Sequence, residues 1–309
     1  MLTKATSILD KKSYTQLKST DNLIATLDLL IRVAINFILA YFVLTISESN
    51  YLLLIFVWYL YSLQFQFWGY AGLGHEAFHN NVFSSKLINK YLFEFCSALT
   101  WNNSAMFAKT HWLHHKKTFS ENDHEATSEQ NWETRHIIAY ALIDFRSMYR
   151  KLLYTLTNSL GYYPNLTPIE NRFRVAAFKN LSFNIILYLA IFVISNNPVG
   201  TMLLILAPFT ASLLNKVLAK AQHHQLDVYR NEGALKFSRT IHLPRPISFL
   251  YANMNFHAEH HFAPSIPYYK LPKLHKILAN KGLISSVSLT DFLTGWRKRP
   301  NPDTEKISQ

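Results

Sequence analysis

The residues that could do chemistry in this chain are its histidines. There are fourteen, and ten of them fall in four short stretches: HEAFH (75–79), HWLHH (111–115), AQHH (221–224) and NFHAEHH (255–261). H-x-x-H-H occurs twice, whereas a single copy is expected only about 0.03 times by chance at this length and histidine content. On a helix, positions i, i+3 and i+4 lie on one face. His111, His114 and His115 are therefore expected to point at one spot, as are His257, His260 and His261, and His75 with His79. Neutral imidazole is a good ligand for iron or zinc. His223, just past an apolar segment, brings the candidate ligands to nine. Nine imidazoles are too many for one tetrahedral zinc but suit two metal ions.

Taken alone, HEAFH matches H-E-x-x-H, which holds a zinc ion and a general base in metalloproteases. That reading leaves most of the clustered histidines without a purpose. Glu76 is better read as a carboxylate that orients an imidazole, and Glu259 and Asn255 are candidates for the same kind of support. The isolated His136, His242 and His275 are expected to be structural, and His124 and His224 are set outside the ligand set. A metal-binding scaffold without catalysis is a further alternative.

The elements that must position these residues are apolar. Hydrophobic residues make up 49% of the 309 and charged ones only 16%, below the roughly 25% of soluble domains. Residues 49–74 and 180–215 contain no Asp, Glu, Lys or Arg. The second stretch, as one helix, would be about 54 Å long against a hydrocarbon core of about 30 Å, so a hairpin is expected. The fold class expected is all-α and integral to a membrane, with four transmembrane helices at roughly 23–46, 51–73, 175–195 and 199–220. The whole of 1–309 is read as a single domain. Segment 86–110 reads as interfacial helices and 136–160 as another interfacial or bundle helix. Asp28 and Arg32 fall inside the first span, Arg32 with its head group snorkelling to the interface.

The links ISESN and SNNPV carry no Lys or Arg, whereas 1–22, 74–174 and 221–309 are basic. Basic segments mark the cytoplasmic side, so both termini and a helical cap bearing the histidines are expected there. No removable signal peptide is expected, and the tail NPDTEKISQ reads as frayed. The net charge of +12 has the same explanation, with no motif for reading nucleic acid. A single cysteine, Cys96, excludes a disulfide framework and an intrachain iron–sulfur centre.

With its boxes HEAFH, HWLHH and HAEHH in order, the sequence resembles the membrane fatty acid desaturase family and its hydroxylase and carotenoid-oxygenase relatives. AQHHQLD, SRTI and NMNFHAEHHFAPSIPYYKLPKLH are similar to the acyl-lipid desaturase branch, and the likeness covers roughly residues 50–280. It implies two non-haem iron ions held by His75, His79, His111, His114, His115, His257, His260 and His261, with His223 as the additional ligand. It implies an oxidoreductase that uses dioxygen and electrons from an external ferredoxin- or cytochrome-type donor to place a double bond in a fatty acyl chain. A hydroxylase or ketolase of a lipid, carotenoid or small amphiphile would use the same ligands. Phe78, Trp101, Trp112 and Phe256 are candidates to line the substrate tunnel, and Arg239 to meet an anionic head group. Gln222, His224 and DHE at 123–125 depart from the family's usual residues.

Overall fold

A computed structural model describes residues 8–46, 48–123, 125–126 and 132–296. The tail 301–309, the first seven residues and His124 lie outside the described residues. The chain is mostly helical. Helices α1 (Lys11–Lys18), α2 (Asn22–Thr45) and α3 (Tyr51–Phe65) open it. Asp21 starts α2 by accepting the amides of Leu23 and Ile24, which would otherwise be unpaired at a helix start. Along α2 the large apolar side chains Leu23, Leu27, Ile31, Phe37 and Tyr41 are exposed, as a lipid-facing helix requires.

Among the described residues, three helical stretches are long and apolar enough to cross a membrane: Lys11–Thr45, Tyr51–Phe78 and Asn171–Ser195. The last is α9. The expected fourth span is broken into α10 (Pro198–Leu206), a 3-10 turn (Ala207–Phe209) and α11 (Leu213–Ala221). Pro208 explains the break, because it has no N–H to give and its ring crowds the carbonyl one turn back. The carbonyls around the break find side chains instead. Trp58 Nε1 donates to Leu203 O at 2.7 Å, and Gln66 Nε2 donates to Ala207 O and Thr210 O at 3.1 and 2.8 Å. The apolar helical part, Pro198–Phe209, is thus short.

Arg32 departs from the snorkelling expectation. It is 4% exposed, pairs with Asp28 at 2.6 Å, and donates to Leu250 O at 2.9 Å and to Phe249 O. The guanidinium is satisfied by protein rather than water, so it has no reason to reach outward. The pair ties α2 to α13 (Arg245–Leu250).

Segment 86–110 is interrupted, as expected. α5 (Lys86–Leu99) and α6 (Ser104–Lys116) are separated by a turn in which Trp101 takes a φ of 56°. The 136–160 segment is also two helices, α7 (Thr134–Ala141) and α8 (Phe145–Ser159), with Asp144 capping α8 through the amide of Ser147. α8 packs along α9 and α5 packs against α4 (Leu73–Phe78). Between α3 and α4 the chain turns through a short 3-10 segment to Gly72. A Cβ at Gly72 would stand 2.2 Å from Phe67 O, so the bend that delivers HEAFH needs glycine there.

The C-terminal third holds α12 (Ala234–Phe237), α14 (His257–Phe262), α15 (Leu271–Asn280) and α16 (Leu289–Gly295). It also holds a departure from the all-α expectation: β1 (Thr240–His242) pairs in parallel with β2 (Ser286–Ser288), Thr240 opposite Ser286. Three residues a side are too few to read as strands from periodicity. Among the described residues the larger of two cores runs from Tyr14 and Leu17 through α3–α5 to Tyr268, Leu271 and Leu278. Tyr14 OH lies 3.1 Å from Ser265 Oγ, so the start of the chain is docked on the segment after the last box.

Candidate metal centre

Each histidine box sits on a helix, and the helices are short. α4 carries His75 and ends at His79; α6 carries His111, His114 and His115; α14 begins at His257 and carries His260 and His261. His223 follows α11 in a turn. All nine imidazoles converge, in two groups. His75, His79, His111, His115 and His260 form one, and His114, His223, His257 and His261 the other, with the ligand atoms of each group within 4.8 Å of one another.

The boxes do not each point at one spot. His111 and His115 enter the first group and His114 the second, whereas His257 and His261 enter the second and His260 the first. At about 100° per residue, positions i and i+4 are only about 40° apart, while i+3 lies about 100° from i+4. The i, i+4 pair therefore shares one group and i+3 reaches the other. Each H-x-x-H-H box is a bridge between the groups.

Proton positions follow from the outer partners. His75 Nδ1 lies 3.0 Å from Tyr70 O, and His223 Nδ1 3.0 Å from Phe237 O. His114 Nδ1 lies 3.1 Å from both oxygens of Asp123, and His111 Nδ1 2.8 Å from Glu125 Oε2. A carbonyl or carboxylate oxygen here accepts, so these Nδ1 atoms carry the hydrogen and Nε2 presents a lone pair. Those Nε2 atoms face one another. The pairs His75–His260, His79–His111, His111–His115, His115–His260, His114–His261, His223–His257 and His257–His261 stand 3.0–3.2 Å apart at Nε2. Facing lone pairs repel unless a cation lies between them. Ligand edges of about 3.0–3.4 Å are what metal–nitrogen bonds of about 2.1 Å produce. The donor set therefore fits metal ions, one in each group.

Electrostatics agree. Burial, with the neighbouring imidazoles, holds His223 and His260 down to about 3 and His111, His115, His257 and His261 well below the usual range. They are neutral at neutral pH, the state a ligand needs. Asp123 is opposed by its burial, yet the bonds from His114 and from the amides of Phe119 and Ala126 win and bring it to about 2. Burial pushes Glu125 up to about 7.

Of the expected supports, Glu76 Oε1 lies 3.0 Å from His260 Nδ1. Its carboxyl is fully buried and turned to an imidazole rather than to open water, which a protease base would need. Glu259 does not meet a clustered imidazole. It accepts from Thr240 Oγ1 at 2.6 Å and pairs with His275, tying α14 to β1 and α15. Asn255 donates to Ile241 O at 2.9 Å and accepts from Ser248 Oγ at 2.7 Å, bracing the turn before the last box. His275, read as structural, is part of that brace. Sequence reasoning missed Asp123 and Glu125 as orienting groups; the DHE stretch eight residues past HWLHH was the available signal.

The candidate lining residues separate. Phe78 packs on His79 and His111, with ring centroids 5.1 and 5.4 Å away, and Trp101 lines a cavity beside the centre. Trp112 is exposed, under the Lys116 ammonium at 4.5 Å, and Phe256 packs on His275. Arg239 donates to Ala221 O at 2.7 Å and His224 O at 3.3 Å, clasping the turn that carries His223. His224 turns away, stacking on Trp296 at 4.8 Å. A cleft of about 480 Å³ reaches the centre at His115 and His261, lined also by Lys116, Lys117 and Arg230.

A family model described as fatty acid desaturase matches residues 49–287, which takes in all nine histidines. No curated protein matches the chain significantly.

Proposed function

Because the chain belongs to the fatty acid desaturase family, we propose that it is a membrane-bound non-haem diiron oxidoreductase that desaturates a fatty acyl chain. The observation that carries this reading is the pair of all-imidazole groups, five and four, linked by boxes that contribute to both. His75, His79, His111, His115 and His260 would hold one iron, and His114, His223, His257 and His261 the other. Two irons so bound would supply the dioxygen chemistry that removes hydrogens from an unactivated alkyl chain.

The protein's own part is placement. Tyr70 O, Phe237 O, Asp123 and Glu125 fix four imidazoles as Nδ1–H tautomers, and Glu76 stands by a fifth. The Tyr70–Phe107 stack and Phe78 exclude water from one side. Electrons come from an external ferredoxin- or cytochrome-type protein, since one cysteine cannot build an iron–sulfur centre. The cleft over His115 and His261, with its three cations, suits an acidic donor. Convergence of boxes that follow different spans supports a single side for all of them, and the Lys/Arg excess of 74–174 and 221–309 supports the cytoplasmic one.

The test is the lipid profile of a host with and without the chain, alongside metal analysis of the purified protein. Two irons and acyl chains short of two hydrogens support desaturation. Gain of one oxygen moves the reading to a hydroxylase or ketolase on the same site. One zinc without iron overturns it.

A further inference from the structure

Eight of the nine clustered histidines lie on a box helix or cap one. His223 stands past the cap of α11, which is Gln222, in a turn. A turn lacks the ladder of backbone hydrogen bonds that holds a helical residue in place. Two residues on, Gln225 takes a φ of 60°, a left-handed conformation that a residue with a Cβ keeps only when its surroundings hold it. Yet His223 Nε2 is set 3.0 Å from His257 Nε2. The hold on it must come from outside the turn.

Three side chains supply that hold. Gln222 Nε2 donates to Tyr251 Oη at 2.8 Å and to Met254 O at 3.3 Å. The residue before His223 is thereby tied to the loop that leads into His257, so the two segments bearing the facing imidazoles are braced directly. A carboxylate at 222 would have no hydrogen for Met254 O, which gives the amide at this position a physical role. Arg239 takes the carbonyls on both sides of His223. Its Nη1 donates to Ala221 O at 2.7 Å, its own amide to Gln222 O at 2.9 Å and its Nη2 to His224 O at 3.3 Å. Trp296 closes over the turn. It stacks on His224 at 4.8 Å, and its carbonyl accepts from His224 Nε2 at 3.0 Å. The Lys220 ammonium lies over the rings of Trp296 and Trp132 at 5.1 and 5.4 Å, and the Arg239 guanidinium over Phe292 at 5.4 Å.

The small sheet delivers these groups. Phe237, whose carbonyl takes His223 Nδ1, leads through Arg239 into β1. β1 pairs with β2, and β2 runs directly into α16 and Trp296. Three residues a side thus join the C-terminal segment to the one clustered histidine that no helix holds. We propose that Gln222, Arg239 and Trp296 are positioning residues for His223, and that through them the sheet and α16 set how firmly the four-histidine group of the diiron reading, on which this rests, keeps its metal. His223 is the imidazole that can swing away without unwinding a helix, so the metal of its group leaves first when the clasp opens.

The test follows release of iron(II) from the full-length protein in detergent to a chromophoric chelator under argon, with total iron counted beforehand. Two phases of one iron each are expected. Trp296→Ala should speed one phase roughly tenfold, the low end of what losing an outer partner costs a metal site, and leave the other unchanged. The phase it speeds should be the one that His223→Ala removes or speeds. Trp296→Phe, which keeps an aromatic face for His224, should restore the wild-type rate. Gln222→Met should act on the same phase, and decides the matter should Trp296→Ala fail to fold. Equal acceleration of both phases, acceleration of the phase that His223→Ala leaves alone, or unchanged release in folded Trp296→Ala and Gln222→Met proteins overturns the positioning. If the purified protein holds one zinc instead, the diiron reading falls, while faster zinc release in Trp296→Ala with rescue by Trp296→Phe keeps the positioning.

Discussion

Asp123→Asn should weaken one metal group and spare the other. Asp123 Oδ1 accepts from His114 Nδ1 at 3.1 Å and from the amides of Glu125 and Ala126 at 3.0 and 3.3 Å. Oδ2 accepts from His114 Nδ1 at 3.1 Å and from the Phe119 amide at 2.8 Å. An asparagine has one acceptor oxygen, and its NH₂ must take one of these two places. In one orientation it faces the Phe119 N–H, and in the other the N–H groups of Glu125 and Ala126. Either way a part-buried amide loses its partner, and the charge-assisted bond to His114 is weakened. His114 is then free to move its proton to Nε2, the atom that faces His261. Loss of such an outer partner costs about 10–100-fold in metal affinity. His114 belongs to the four-histidine group, so the effect should fall there. The assay is titration of the chelated protein with iron(II) against a chromophoric competitor, which resolves two binding steps. One step should weaken by one to two decades and the other stay in place. Two unchanged steps, or two that weaken equally, would refute the assignment of His114 to a separate group and of Asp123 as its orienting partner.

Other outcomes follow from the same geometry. His257→Ala removes one of four ligands from the second group and should bring iron content toward one per chain by elemental analysis, with loss of activity; two retained irons with full activity would reject the ligand set. In metal-free protein His223 and His260 titrate at about 3 in place of 6.5. Below the unfolded value the unfolded chain takes protons that the folded one refuses, so their stabilisation is complete above 6.5 and lost as pH falls toward 3. Together they cost roughly 4 kcal/mol by pH 5, and melting curves by tryptophan fluorescence should drop between pH 7 and 5, far less once metal is restored. Arg32→Met leaves Asp28 buried without its partner and should destabilise by about 3–5 kcal/mol; an unchanged melting temperature in detergent would contradict the buried pair. Gly72→Ala drives a methyl into Phe67 O and should cost more than about 3 kcal/mol or prevent folding, measured as the yield of monodisperse protein.

The clustered histidines were legible because a helical spacing is local. Once HWLHH and HAEHH are helical, three imidazoles per box have no choice but to lie on one side, and duplication of the pattern raised it above chance. The apolar stretches that became α2, α3 and α9 were legible for the same reason, since an uncharged run needs no distant partner to be recognised. What spacing did not divide was the nine into five and four. That division depends on how α6 and α14 face each other, so that i+3 of each box crosses to the other's i, i+4 pair. The roles of Asp123, Glu125, Tyr70 O and Phe237 O likewise depend on loops and carbonyls that only packing brings to Nδ1. The broken segment at Pro208 was written in the sequence but masked by its lack of charge. Arg32 shows the converse: a charge in an apolar helix reads as an interfacial group until α13 is seen supplying the two carbonyls. The sequence determined which imidazoles share a helix side; tertiary structure decided which group each one joins, because the first is a property of one helix and the second of the angle between two.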